Sequence, residues 1–186
     1  MAPRLTLRAN RAAHPAPTDL NRIGGHPIGI GLDNWPRIFN PATQTDQPMI
    51  HVLTVDARAV GAAVPDSVLA LALFVSSADE PFYFDDPTSD YAVVPLRQPD
   101  IAAGELPAPD LPEHPLPAAV LELKPGRGSG RSYAGGRPRW IQSHLHDGED
   151  TPDDFVLQFD TSLVRINLGD SGVCYMFTGW AMWECL

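Results

Sequence analysis

Two imidazoles and a carboxylate stand within four positions at His144-Leu145-His146-Asp147. Alternate residues share one face of a strand, so this run carries the donor types of a transition-metal site. A third ligand would have to come from elsewhere, such as His26 or Asp170. The acids that follow, Glu149, Asp150, Asp153 and Asp154, do not have EF-hand spacing, and no His-Glu-x-x-His occurs. A solvated acidic loop between strands is the simpler reading, and no metal or other cofactor is expected.

Nucleophile and phosphate chemistry find weaker footholds. Asp170-Ser171-Gly172 sets a serine beside an acid but is not Gly-x-Ser-x-Gly, and it reads as a tight turn into a strand. The loop from Pro125 to Ser132 is basic and glycine-rich, yet it lacks Gly-Lys-Ser/Thr and has no clear helix after it. No catalytic residue is therefore assigned. Aromatic side chains among acids form the third pattern. Phe82, Tyr83 and Phe84 are flanked by Glu80, Asp85, Asp86 and Asp90. Trp35 lies between two turn-rich stretches, either as a core anchor for the loop from Gly24 to Pro36 or as an exposed recognition residue. Aromatic anchors dominate interface energies, and rim charge steers encounter. The candidate partner-binding residues are thus Trp35, Tyr83, Asp85, Asp86, Asp90, Glu149, Asp150, Asp153 and Asp154.

The elements that must position these residues are mostly strands. Ile50 to Val55, Val68 to Val75, Tyr91 to Val94, Phe155 to Asp160 and Val173 to Thr178 are apolar-rich strand candidates. Ala118 to Lys124 is a further strand or a short helix. Asp56 to Ala63 suits about two helical turns with Asp56 as N-cap. The last residues, with Trp180 and Trp183 three apart, suit either a helix face or an irregular lid. Residues 1–18 form an N-terminal arm, with Arg4 to Leu7 as an edge strand or part of a loose segment. Residues 95–117 hold seven prolines in 23 positions, which predicts an extended surface connector.

That connector separates residues 19–94 from residues 118–186, and the two stretches match in order. Gly24-Gly25-His26-Pro27 parallels Gly135-Gly136-Arg137-Pro138. The strand ending at Asp56 parallels the strand ending at Asp160. Phe74 follows Asp56 by 18 positions, and Phe177 follows Asp160 by 17. The expected fold is α+β and mainly β: a single compact domain of two related halves, an internal duplication, with few short helices.

The 186 residues suit one globular domain, burying roughly 70% of the unfolded surface without staples. Two cysteines, Cys174 and Cys185, are too few for a disulfide framework and point to a reduced, cytoplasmic protein. The longest apolar run, Val68 to Val75, has eight residues, far short of the roughly 20 of a membrane span. Met1 to Asn10 has arginines but no apolar stretch, so no signal peptide is expected. With 13 basic and 23 acidic residues the net charge is −10, which disfavours nucleic acid and suits a basic protein partner.

These stretches carry a resemblance. Gly24-Gly-x-Pro27 leading to Trp35-Pro36, the strand ending in Asp56, and Pro65 before the strand ending Phe74-Val75 resemble the front of the YwqG-like family of bacterial proteins. Gly135-Gly-x-Pro138-Arg-Trp140-Ile-Gln142, Leu157-Gln158-Phe159-Asp160 and Gly169-Asp-Ser-Gly-Val173 with Tyr175-Met-Phe177 resemble its back. The match covers about Ile23 to Phe177 without the middle, and Gly-Asp-Ser-Gly-Val is its most specific piece. The resemblance implies a mainly β, internally duplicated fold without catalytic residues to carry over. It also implies an immunity role beside secreted toxins. The chain departs from the pattern where Thr54 stands in the position of Gln158. The expected function is a non-catalytic protein-binding module, an immunity protein for a basic toxin domain. The alternatives are a metal-dependent enzyme or metal-binding protein using His144, His146 and Asp147, and a small-molecule-binding domain.

Overall fold

A computed structural model describes residues 4–40, 43–77, 90–111, 115–126, 130–142 and 154–185. The chain is mainly β. Its elements are β1 (Leu5–Asn10), β2 (Arg22–Ile23), β3 (Arg37–Asn40), β4 (Thr45–Pro48), β5 (Ile50–Asp56), β6 (Val68–Val75), β7 (Tyr91–Arg97), α1 (Gln98–Ala103), β8 (Ala119–Pro125), β9 (Tyr133–Ala134), β10 (Phe155–Asp160), β11 (Val173–Phe177) and β12 (Ala181–Glu184). Ten strands form one antiparallel sheet in the order β12-β11-β10-β9-β1-β8-β2-β5-β6-β7. Its two end strands, β12 and β7, come into contact, so the sheet curls back on itself like a nearly closed barrel. β3 and β4 form a separate hairpin.

The continuous apolar runs follow from this geometry, because both faces of β5, β6, β10 and β11 are covered. In β6, Leu71, Leu73 and Val75 point into the main core, while Ala70, Ala72 and Phe74 face a second cluster with Ile30, Trp35 and Met49. β11 repeats the alternation. Cys174 and Met176 join the main core, and Val173, Tyr175 and Phe177 join a third cluster with Tyr133 and Phe155. Strand period 2 applied to a buried element leaves no polar face.

The two ends of the sheet share hydrogen-bond detail. The β5–β6 register slips between His51 and Leu53, so Val52 and Leu53 both enter the main core. The β10–β11 register slips between Phe155 and Leu157, and Val156 and Leu157 both enter it. Gly24 N–H donates to Val52 O at 2.9 Å, and Gly135 N–H donates to Val156 O at 2.9 Å. β1 and β8 lie side by side at the centre, and each also pairs with the short strand of the opposite end, β1 with β9 and β8 with β2.

Several local expectations change. The N-terminal arm is neither an edge strand nor loose, since β1 has neighbours on both sides and Leu7 is buried. The proline-rich stretch is not extended throughout. Pro95 lies within β7, and Pro99 is the second residue of the short helix α1, in the first turn, where a missing N–H costs nothing. The predicted helix at Asp56 to Ala63 is a run of turns, although Asp56 does cap Arg58 N and Ala59 N at 2.9 and 3.0 Å. The C-terminal Trp180–Trp183 segment supplies strand β12.

Candidate functional site

The buried polar side chains explain how the loops outside the sheet are held. Arg22, 1% exposed on β2, donates to Ala16 O at 2.7 Å, His26 O at 2.8 Å and Asp19 O at 3.0 Å. Its guanidinium also meets Glu105 at 2.9 Å, tying the proline-rich stretch to the front of the sheet. His51 on β5 is 2% exposed. Its Nδ1 lies 3.0 Å from Gly24 O and 3.2 Å from Gly25 O, and its Nε2 lies 2.9 Å from Thr54 Oγ1. Carbonyls only accept, so Nδ1 carries the proton and Nε2 accepts from Thr54. Burial pulls the His51 pKa down to about 4 against the opposing pull of the Gly24 and Gly25 carbonyls. Gly24 has φ +58°, and a Cβ there would sit 2.5 Å from Leu116 O, so this turn requires glycine.

The back of the sheet uses other residues for the same task and leaves a cavity of about 340 Å³. Gly130, Arg131, Arg139, Trp140, Ile141, Gln158 and Val173 line it. Gln158, 2% exposed, joins two of its walls. Its Oε1 accepts from Arg139 N–H at 2.7 Å, and its Nε2 donates to Arg131 O at 3.0 Å. Arg131 in turn donates to Ser171 O at 2.6 Å, within the Gly-Asp-Ser-Gly turn, where Ser171 has φ +53°. Glu184, 3% exposed on β12, accepts from Ile141 N–H at 2.7 Å and from the Tyr175 hydroxyl at 2.9 Å. Burial pushes the Tyr175 hydroxyl pKa up, and the Glu184 carboxylate adds to the effect. Trp140 packs on Tyr175 with centroids 4.7 Å apart. Arg139 to Ile141, Gln158 and Val173 thus converge on one cavity, with Ser171 tied to Arg131 beside it.

A different surface lies on the front. The β3–β4 hairpin stands outside the ten-stranded sheet and buries Ile38 against Trp35 and Met49. Neighbouring residues of a strand face opposite ways, so Phe39 points outward and is 52% exposed. Leu32, in the loop before the hairpin, is 53% exposed. Phe39 pairs with Asp46, and Asp33 adjoins Leu32.

Of the residues read as partner contacts, three can be located. Trp35 is 4% exposed, and its indole N–H donates to Met49 O at 2.8 Å, so it is a core anchor and not a recognition surface. Asp90 is fully buried at the entrance to β7, where its carbonyl accepts from Ser76 N–H at 2.9 Å and fixes the β6–β7 register; it does not belong to an accessible acidic rim. Asp154 is half-buried, and its carboxylate accepts from the Trp180 indole N–H at 3.1 Å. Tyr83, Asp85, Asp86, Glu149, Asp150 and Asp153 lie outside the described residues, as do His144, His146 and Asp147. His26 and Asp170, the suggested further ligands, are exposed. Among the described residues no three His, Cys, Asp or Glu side chains gather as a metal cage.

The sequence reading did not mark Phe39 or Leu32, and it named Arg131 only within a basic loop set aside for phosphate and Arg139 only within the Gly135 to Gln142 clause. Phe39 had a usable signal, because two adjacent apolar residues on a strand without a register slip face opposite ways. Cys174 is buried within the core, and burial pushes its thiol pKa up, away from a reactive thiolate. Among the described residues no helix is long and apolar enough to cross a membrane. Compared with known proteins, the chain matches no family model, no curated protein and no solved structure.

Proposed function

We propose that the chain is a non-catalytic, cytoplasmic protein-binding module, an immunity protein that docks on a basic toxin domain. The exposed Phe39 on a hairpin outside the main sheet is the observation that carries this reading. A half-exposed aromatic on a braced hairpin offers a rigid anchor, because Ile38 and the Trp35 indole fix the strand behind it. The net charge of −10 supplies the attraction for a basic partner. The buried polar residues Arg22, His51, Gln158 and Glu184 are engaged in holding loops.

Internal duplication and kinship with the YwqG-like family belong to the same proposal. Support for duplication comes from the matching Gly-Gly turns, the matching slips at Val52 and Val156, and Asp56 and Asp160 each closing a turn after its strand. Exchange of β1 and β8 across the centre would be the product of two copies closing over each other.

The test is capture from lysate of the source organism at low salt, on parallel columns of the chain and its Phe39→Ser variant. One polypeptide held near stoichiometry by the first and lost from the second supports the reading. A polypeptide held equally by both removes Phe39 as the anchor. The second reading, a small-molecule-binding domain, is favoured by the cavity beside Gln158.

A further inference from the structure

We infer that the cavity lined by Arg131, Arg139, Trp140, Ile141, Gln158 and Val173 binds a small oxyanion, a phosphate or carboxylate carried on an apolar body. The backbone of the two arginine residues that line it is fixed by the fold. One buried amide, Gln158, bonds the backbone of both arginine residues at 2.7 and 3.0 Å, so their side chains spring from fixed points on either side of one opening. The Ser171 carbonyl holds Arg131 by one of its five N–H donors. Among the described residues neither arginine forms an ion pair, and the Arg139 guanidinium meets no acceptor. In a chain with 10 more acids than bases, two arginines and no carboxylate among the described lining residues are an unusual local sign of charge. Guanidinium groups bind planar or tetrahedral oxyanions through paired N–H donors, which suits this arrangement. Trp140, Ile141 and Val173 provide an apolar wall for the body that carries the anion.

The front of the sheet is the internal comparison. There Thr54 pairs with Arg22 across β2–β5, as Gln158 pairs with Tyr133 across β9–β10. Thr54 bonds His51 instead of reaching toward loops. The outer face beside it is filled by the chain itself, with Ile101, Ala108 and Leu111 packed against the cluster of Trp35, Ala70 and Ala72. At the back the corresponding strand residue, Val173, lines the cavity, and arginines stand where the front has apolar cover. At matched places in the sheet, Thr54 thus holds His51, whereas Gln158 holds the two arginine-bearing loops that border the cavity.

The test titrates inorganic phosphate, phenyl phosphate and benzoate separately into the full chain. Melting temperature and the Trp140 indole amide resonance are followed. A saturable response is expected, with phenyl phosphate or benzoate binding more tightly than inorganic phosphate. Arg139→Gln should weaken it by about tenfold, in line with loss of a charge-assisted contact. Arg139 is exposed, so this variant should keep the parent circular dichroism spectrum, and Arg58→Gln on the front turn should bind like the parent. The preference between phenyl phosphate and benzoate names the headgroup. No saturable response up to about 20 mM, where affinities weaker than about −2.3 kcal/mol begin, would overturn the inference. So would equal binding by Arg139→Gln.

Discussion

Acidification should unlock the front turn through His51. In the fold this imidazole is neutral, donating from Nδ1 to Gly24 O and accepting at Nε2 from Thr54. Burial holds its pKa at about 4, against about 6.5 for an exposed histidine. The folded value is the lower one, so between these limits the unfolded chain binds a proton that the folded chain does not. Stability therefore falls as pH drops from about 6.5 to about 4, by about 1.4 kcal/mol per pH unit. The total is about 3 kcal/mol, a sizeable part of a typical 5–15 kcal/mol. His51→Gln keeps a donor and an acceptor but does not titrate. At pH 7 it should be less stable than the parent by about 1–2 kcal/mol, because the ring also packs on Phe74 at 5.3 Å. Urea unfolding of both proteins from pH 7.5 to 4 is the assay. The parent's advantage should shift by about 3 kcal/mol across that range, so that near pH 4 the variant is the more stable protein by about 1–2 kcal/mol. Parallel curves would refute the reasoning, as would a His51 nuclear resonance that titrates near 6.5 in the folded chain.

Two further substitutions probe the loop supports. Arg22→Met leaves the carbonyls of Ala16, Asp19 and His26 without their donor, while the half-exposed Glu105 regains water. A loss of about 3 kcal/mol is expected from three unsatisfied carbonyls, or a melting point lower by roughly 10 °C in a calorimetric scan. Gln158→Leu removes both bonds that fix Arg131 and Arg139 and should cost about 2–4 kcal/mol. Oxyanion affinity should fall with it, which titration at a temperature well below the variant's melting point will read.

Strands with dense apolar character were legible in the sequence. Val68 to Val75 is β6 residue for residue, and Phe155 to Asp160 is β10, because burial on both faces writes itself as an unbroken apolar run. Short strands were not legible. β2 and β9 have two residues each, too few for any period, and their pairing is set by the glycine turns that follow. β1 was hidden for another reason. Its mixed Leu-Thr-Leu-Arg pattern suits an edge, yet its neighbours come from the far half of the chain. Asp56 gave a true cap but a false helix, since its carboxylate serves a turn as readily as a first helical turn. The partner residues misled most. Trp35 offers the same large ring to a core or to a partner, and only the Met49 carbonyl behind it decides which. Asp90 looked like a member of an acidic rim, because sequence neighbours on a strand entrance need not share its exposure. The arginine cavity draws residues from Gly130 to Val173, and only the fold of the back sheet makes them neighbours.

The proposed function rests on an acidic scaffold that presents Phe39 to a basic partner. The most direct measurement is the association rate of the captured polypeptide with the chain, followed from about 20 to about 200 mM salt. Docking through Phe39 under electrostatic steering predicts a rate that falls by about tenfold or more over that range, together with a dissociation rate raised by Phe39→Ser. An association rate indifferent to salt, with dissociation unchanged in that variant, would contradict it.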